Sequence, residues 1–164
     1  MDDIKKILVA LAFTPYAEGI FNYAVKIAQS FNAQLIIGSI INSRDVAAVG
    51  KIVSMGYDVN GDHYVEDILK ERQALLEKFM AKCSFNRENI KTIIEVGNPV
   101  EELLKLIVKE NINLVVMGTK GRTDLENVFV GSVASKLFHR SPVPVISCRD
   151  EKNAERLRKK IKPA

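Results

Sequence analysis

The chain has 164 residues, 47% of them hydrophobic and 27% charged, with 5 prolines and 9 glycines. That profile excludes a disordered or fibrous chain and is enough to fill one core without covalent staples. The formal net charge of +4 invites a nucleic-acid reading, but residues 149–164 hold seven of the 24 basic and three of the 20 acidic side chains, leaving 17 of each sign in the body. A neutral body (1–148) with a basic tail (149–164) makes a nucleic-acid partner unexpected.

Within Ile4 to Phe13 the first apolar run, Ile7 to Phe13, is short and unbroken, as in a strand buried on both faces. It is also too short for a membrane span or a signal peptide, so a cytoplasmic protein without a membrane anchor is expected. Thr14 then reads as an N-cap with Pro15 at the first helical position, and Ile20, Tyr23, Ala24, Ile27 and Phe31 recur at helical spacing.

Ala33 to Ile41 is the second strand, and Glu66 to Cys83 a charged amphipathic helix with Ile68, Leu69, Leu75, Leu76, Phe79 and Met80 along one stripe. Between them Asn42 to Gly61 is longer than an ordinary connection and reads as a partly helical excursion, a candidate lid. Asn89 to Gly97 is the third strand. Asn98, Pro99 and Glu101 then spell cap, first helical residue and capping-box acid.

Ile112 to Gly118 is strand four, Ser132 to Arg140 a short helix, and Val143 to Cys148 strand five. Alternating apolar strands and helices predict an α/β fold: a parallel five-stranded, Rossmann-like sheet with helices on both faces. In such sheets ligands gather beyond the carboxyl ends of the strands, where the strand order reverses.

One such end carries Gly118, Gly121, Gly131 and Ser132. Glycine lets backbone amides approach an anion and permits the positive φ of a nest, which suits Gly118 and Gly121. Gly131 and Ser132 open a helix, whose first amides and dipole attract phosphate. Lys120 and Arg122 flank the first cradle. Thr123 to Glu126 matches a capping box, and Leu125, Val128 and Phe129 offer it apolar anchors.

Four or five charge-assisted hydrogen bonds at about 1.5–3 kcal/mol each roughly offset an association cost of about 4–15 kcal/mol, so a nucleotide held there is expected to bind at micromolar strength. Each glycine alone also fits a plain turn or cap.

Other chemistry lacks its signature. There is no Walker loop, no GxGxxG after the first strand, no GxSxG and no HExxH. Cys83 and Cys148 stand 65 positions apart without a CxxC pattern, so neither a disulfide framework nor a metal site is expected. His63 and His139 are solitary, and no general base stands out, so no catalytic residue is assigned. Met117 fits either the core or the underside of an adenine ring.

The spacing G-x2-G-x9-G-S, with the SVASKLFHRSPVPVISCR segment behind it and GNPVEEL before it, resembles the universal stress protein family over residues 4–149. The resemblance implies a sheet of order 3-2-1-4-5 with ATP between the ends of strands one and four. By the same resemblance, Ile40 and Met117 lie beside adenine, Gly118, Thr119, Lys120, Gly121 and Arg122 surround ribose and phosphate, and Gly131, Ser132 and Val133 form the helix start. It also implies a homodimer through Val143 to Cys148, which agrees with the need of an apolar edge strand for cover.

Ala12 stands where ATP-binding members usually carry an aspartate, a loss of one acceptor that weakens binding by about 1–3 kcal/mol. Three functions fit: a regulatory stress protein responsive to ATP, ADP or AMP, a slow ATPase with Mg²⁺ bridging the phosphates, and a nucleotide-free dimeric scaffold.

Overall fold

Continuous apolar runs form the sheet because each of its inner strands is covered on both faces. The computed structural model describes residues 3–56, 63–119, 131–149 and 151–161. The strands are β1 (Lys6–Ala10), β2 (Gln34–Asn42), β3 (Ile90–Gly97), β4 (Leu114–Gly118) and β5 (Val145–Cys148). They pair in parallel in the order β3-β2-β1-β4-β5. This is the expected 3-2-1-4-5 sheet. The order reverses beside β1, which pairs with β2 on one side and β4 on the other.

Alternation along the strands divides the core in two. Ile7, Val9, Leu35, Ile37 and Val116 face α1 (Ala17–Phe31) and α3 (Tyr64–Lys82). Leu8, Ile36, Val115 and Met117 face α4 (Pro99–Lys109) and α5 (Ser132–Arg140). A further helix, α2 (Ser43–Ser54), follows β2, and α6 (Glu151–Arg158) makes the basic tail helical.

The cap of α4 is as expected: Asn98 accepts from the amides of Val100 and Glu101, with Pro99 in the first turn. The cap of α1 is not. Thr14 Oγ1 accepts from Tyr16 N at 3.3 Å and Thr14 O from Ala17 N at 2.9 Å, so the hydroxyl closes a local turn and the helix begins at Ala17, beyond Pro15.

The buried stripe of α1 is Ile20, Phe21, Ala24, Val25 and Ala28. Tyr23 and Phe31 lie half in solvent on its flank, because the i+3/i+4 rows run through Phe21 and Val25 instead. The Asn42–Gly61 excursion is helical as far as Ser54, started by Asn42, whose side chain accepts from Arg44 N. Residues 57–62 lie outside the described part.

Candidate functional site at the reversal point

A crevice of about 230 Å³ opens at the carboxyl ends of β1, β2 and β4. Its floor is made of small residues for a mechanical reason: a Cβ on Gly38 would come within 2.8 Å of Leu8 Cδ1 and 3.3 Å of Leu103 Cδ2. Ala12, Ile40, Met117, Gly118, Gly131, Ser132 and Val133 all line it. Thr119 sits just behind, with its amide on Cys148 O at 3.2 Å and its carbonyl accepting from Gly131 N at 2.8 Å. Lys120, Gly121 and Arg122 lie outside the described residues, as does the Thr123–Glu126 capping box with Leu125, Val128 and Phe129.

Gly118 departs from the nest expected of it and Gly121, the second of which lies outside the described residues. Gly118 is the last residue of β4, in register with Cys148, and is therefore extended and not left-handed. Gly131 has φ −53°, which any residue adopts, and its own amide is taken by Thr119. What Gly131 contributes is closeness: it is buried, it precedes α5, and it holds residues 119 and 131 together at the two ends of the undescribed segment.

Among the described residues, the amides left for an anion are those of Ser132, Val133 and Ala134. The first intrahelical bond of α5 runs from Ser135 N to Gly131 O, and no side chain caps this helix among the described residues. An uncapped helix start facing a crevice places partial positive charge where a phosphate can reach it. The helix is aimed from its far end, where Arg140 Nη1 donates to Glu101 Oε1 at 2.7 Å and ties the last turn of α5 to the first turn of α4. That hydrogen bond holds the Glu101 carboxyl below its usual range, with the Arg140 charge adding to the effect.

The opposite wall carries a residue the sequence did not single out. Arg72, from α3, lines the crevice yet is only 5% exposed. Its Nη1 donates to Ser39 Oγ, itself 1% exposed, and its guanidinium lies 5.3 Å from the centroid of the Phe13 ring. Phe13 has φ +49°, a left-handed conformation that bulky residues avoid at a cost of about 1–3 kcal/mol. The signal was available: Arg72 falls on the Ile68–Leu76–Phe79 stripe of α3, where a charge is out of pattern. Asn42 and Asp45 complete this wall, and Asp45 is the one carboxylate lining the crevice among the described residues.

His63 pairs with Glu66 at 3.3 Å on the exposed start of α3, and His139 is exposed in the last turn of α5. Neither lines the crevice. Among the described residues no group of three His, Cys, Asp or Glu side chains assembles a metal site. Among them, too, no helix is long and apolar enough to cross a membrane.

The universal stress protein family model matches residues 3–149. A candidate universal stress protein of Staphylococcus epidermidis is 28% identical over 156 residues, covering 94% of this chain and 90% of its own. The universal stress protein UspA of Lactobacillus plantarum is 28% identical, with a TM-score of 0.66 over 91% of this chain and all of its own. The solved protein MJ0577 has the same fold, with a TM-score of 0.70 over 92% of this chain and 99% of its own at 24% identity. Sheet order, crevice and matched length agree: this chain belongs to the universal stress protein family.

Proposed function

We propose that the chain binds an adenine nucleotide, ATP first and ADP or AMP with it, in the crevice at the reversal point and acts as a nucleotide-responsive stress regulator. The observation that carries this reading is the uncapped start of α5 at Ser132, facing a crevice with apolar walls at Ile40 and Met117. Phosphate meets the amides of Ser132 to Ala134, and Lys120, Gly121 and Arg122 stay candidate ribose and phosphate residues by the family resemblance alone. The base lies between Ile40 and Met117. Ala12 offers it no side-chain acceptor, which sets the affinity in the micromolar range.

A solved universal stress protein in complex with cAMP, 21% identical to this chain with a TM-score of 0.59, shows one member of this fold holding an adenine nucleotide. That supports the class of ligand. Hydrolysis has less support, because Asp45 is the only carboxylate at the crevice among the described residues and it stands at the mouth, on the first turn of α2. In this reading the protein is cytoplasmic, residues 1–148 form the nucleotide-binding domain, and 149–164 is an appended basic tail. Two copies pair along β5, which is an edge strand of the sheet among the described residues.

Mass spectrometry of unheated protein purified under native conditions tests the reading. An adenine nucleotide released on denaturation is the expected result. Protein that carries none and takes none up at millimolar ATP would mean the crevice is architecture alone.

A further inference from the structure

Helices α2 and α5 both start at the crevice, and their starts are unlike. Among the described residues α5 begins with no side-chain cap and no acid in its first turn. α2 begins with both: Asn42 Oδ1 accepts from Arg44 N at 3.0 Å, and Asp45 stands in the first turn. Asn42 and Asp45 each line the crevice. A cap and a carboxylate oppose the attraction that a helix start exerts on an anion, so phosphate is favoured at α5 and disfavoured at α2. A bound nucleotide thereby gains a direction, with its base toward the end of β2.

The same two side chains can read that base. Asp45 is exposed and pairs with no side chain among the described residues, and its ionised carboxylate is an acceptor only. The amide of Asn42 is oriented by its bond to Arg44 N, which uses the oxygen and leaves Nδ2, a donor, as the group it offers. Adenine presents a donor, its 6-amino group, beside an acceptor, N1. A 6-oxopurine reverses both: O6 accepts and N1–H donates. In the same pose it sets oxygen against the carboxylate and N–H against the amide, so two favourable contacts become two mismatches. Ile40 and Met117, which line the same crevice, supply apolar surface for the faces of the ring.

Resting on the nucleotide reading of the crevice, we propose that Asp45 and Asn42 are specificity-determining residues. Asp45 accepts from the 6-amino group of adenine and Asn42 Nδ2 donates to N1, so the site selects 6-aminopurine over 6-oxopurine nucleotides.

Calorimetric titration of the full chain with ATP and with inosine triphosphate tests this. The wild-type protein is expected to bind ATP at least about 10-fold more tightly. In Asp45→Asn the new amide can turn its donor to O6, and the preference falls to near unity. Asn42→Asp keeps an oxygen for the cap of α2 and gains an acceptor for N1–H, so the preference falls there too. Taking the ratio of the two affinities removes the effect that a changed charge has on both triphosphates alike. In Lys82→Gln, at a surface lysine that pairs with Glu18 and does not line the crevice, the preference persists. A wild-type ratio near unity with both ligands bound overturns the inference and leaves the nucleotide site standing. A ratio unchanged in either folded variant overturns the role given to that residue. Failure of both ligands to bind at millimolar concentration overturns this inference and the nucleotide reading together.

Discussion

Arg72 Nη1 donates to Ser39 Oγ across 2.5 Å inside the wall of the crevice, with both side chains almost wholly out of solvent. Removing the acceptor leaves a buried charged donor one partner short, at a cost of about 1–3 kcal/mol. For a chain of this size that lowers the thermal midpoint by about 2–4 °C per kcal/mol. Ser39→Ala is therefore expected to melt several degrees below the parent in a calorimetric scan. An unchanged midpoint would show that the bond does not support the fold.

The start of α5 separates stability from binding. A carboxylate at the first helical position interacts favourably with the helix dipole, by about 0.3–1 kcal/mol, and occupies the place of a phosphate. Ser132→Glu should thus raise the melting temperature slightly while weakening ATP at least about 10-fold. Loss of both properties together would point to a misfolded loop instead of a blocked anion site.

Ala12 lines the crevice without a side-chain acceptor. An added carboxylate that accepts one hydrogen bond from a nucleotide is worth about 1–3 kcal/mol, a gain of roughly 5- to 150-fold. Ala12→Asp is accordingly expected to tighten ATP binding by a factor in that range. Weaker binding would place the ligand elsewhere or put the new charge against phosphate.

Burial pushes the Cys148 thiol on β5 up to about 11 from its ordinary 9.0. The folded protein favours the neutral thiol, so this contribution to stability is complete below pH 9 and is lost as pH rises toward 11, where the unfolded chain ionises first. In Cys83→Ser, which leaves Cys148 as the only cysteine, alkylation at pH 8 should run about a hundredfold slower than in the denatured chain and climb until about pH 11. A midpoint at 9 or below would contradict the partial burial of this thiol.

The sheet was legible because both-face burial writes itself as unbroken apolar runs, and Asn98-Pro99 announces α4 without ambiguity. The start of α1 was not, since Thr14 has two local partners of nearly equal chemistry and only the fold decides between turn and cap. At the site, Ser132, Gly131 and Met117 could be read from their spacing, because a helix start after a strand end is a local pattern. Arg72 lies 33 positions from Ser39 and 59 from Phe13, and such a meeting is set by the packing of α3 on the sheet, which no local window contains. Gly131 opens α5 as its spacing suggested, but the bond from its amide to Thr119 O joins residues twelve positions apart and could not be read from a local pattern.

Equilibrium dialysis of the purified chain against ATP tests the central claim most directly. The crevice and the start of α5 predict saturable binding of one nucleotide per chain in the micromolar range, weakened in Ser132→Glu. No retention at millimolar ATP, or retention unchanged by that substitution, would contradict it.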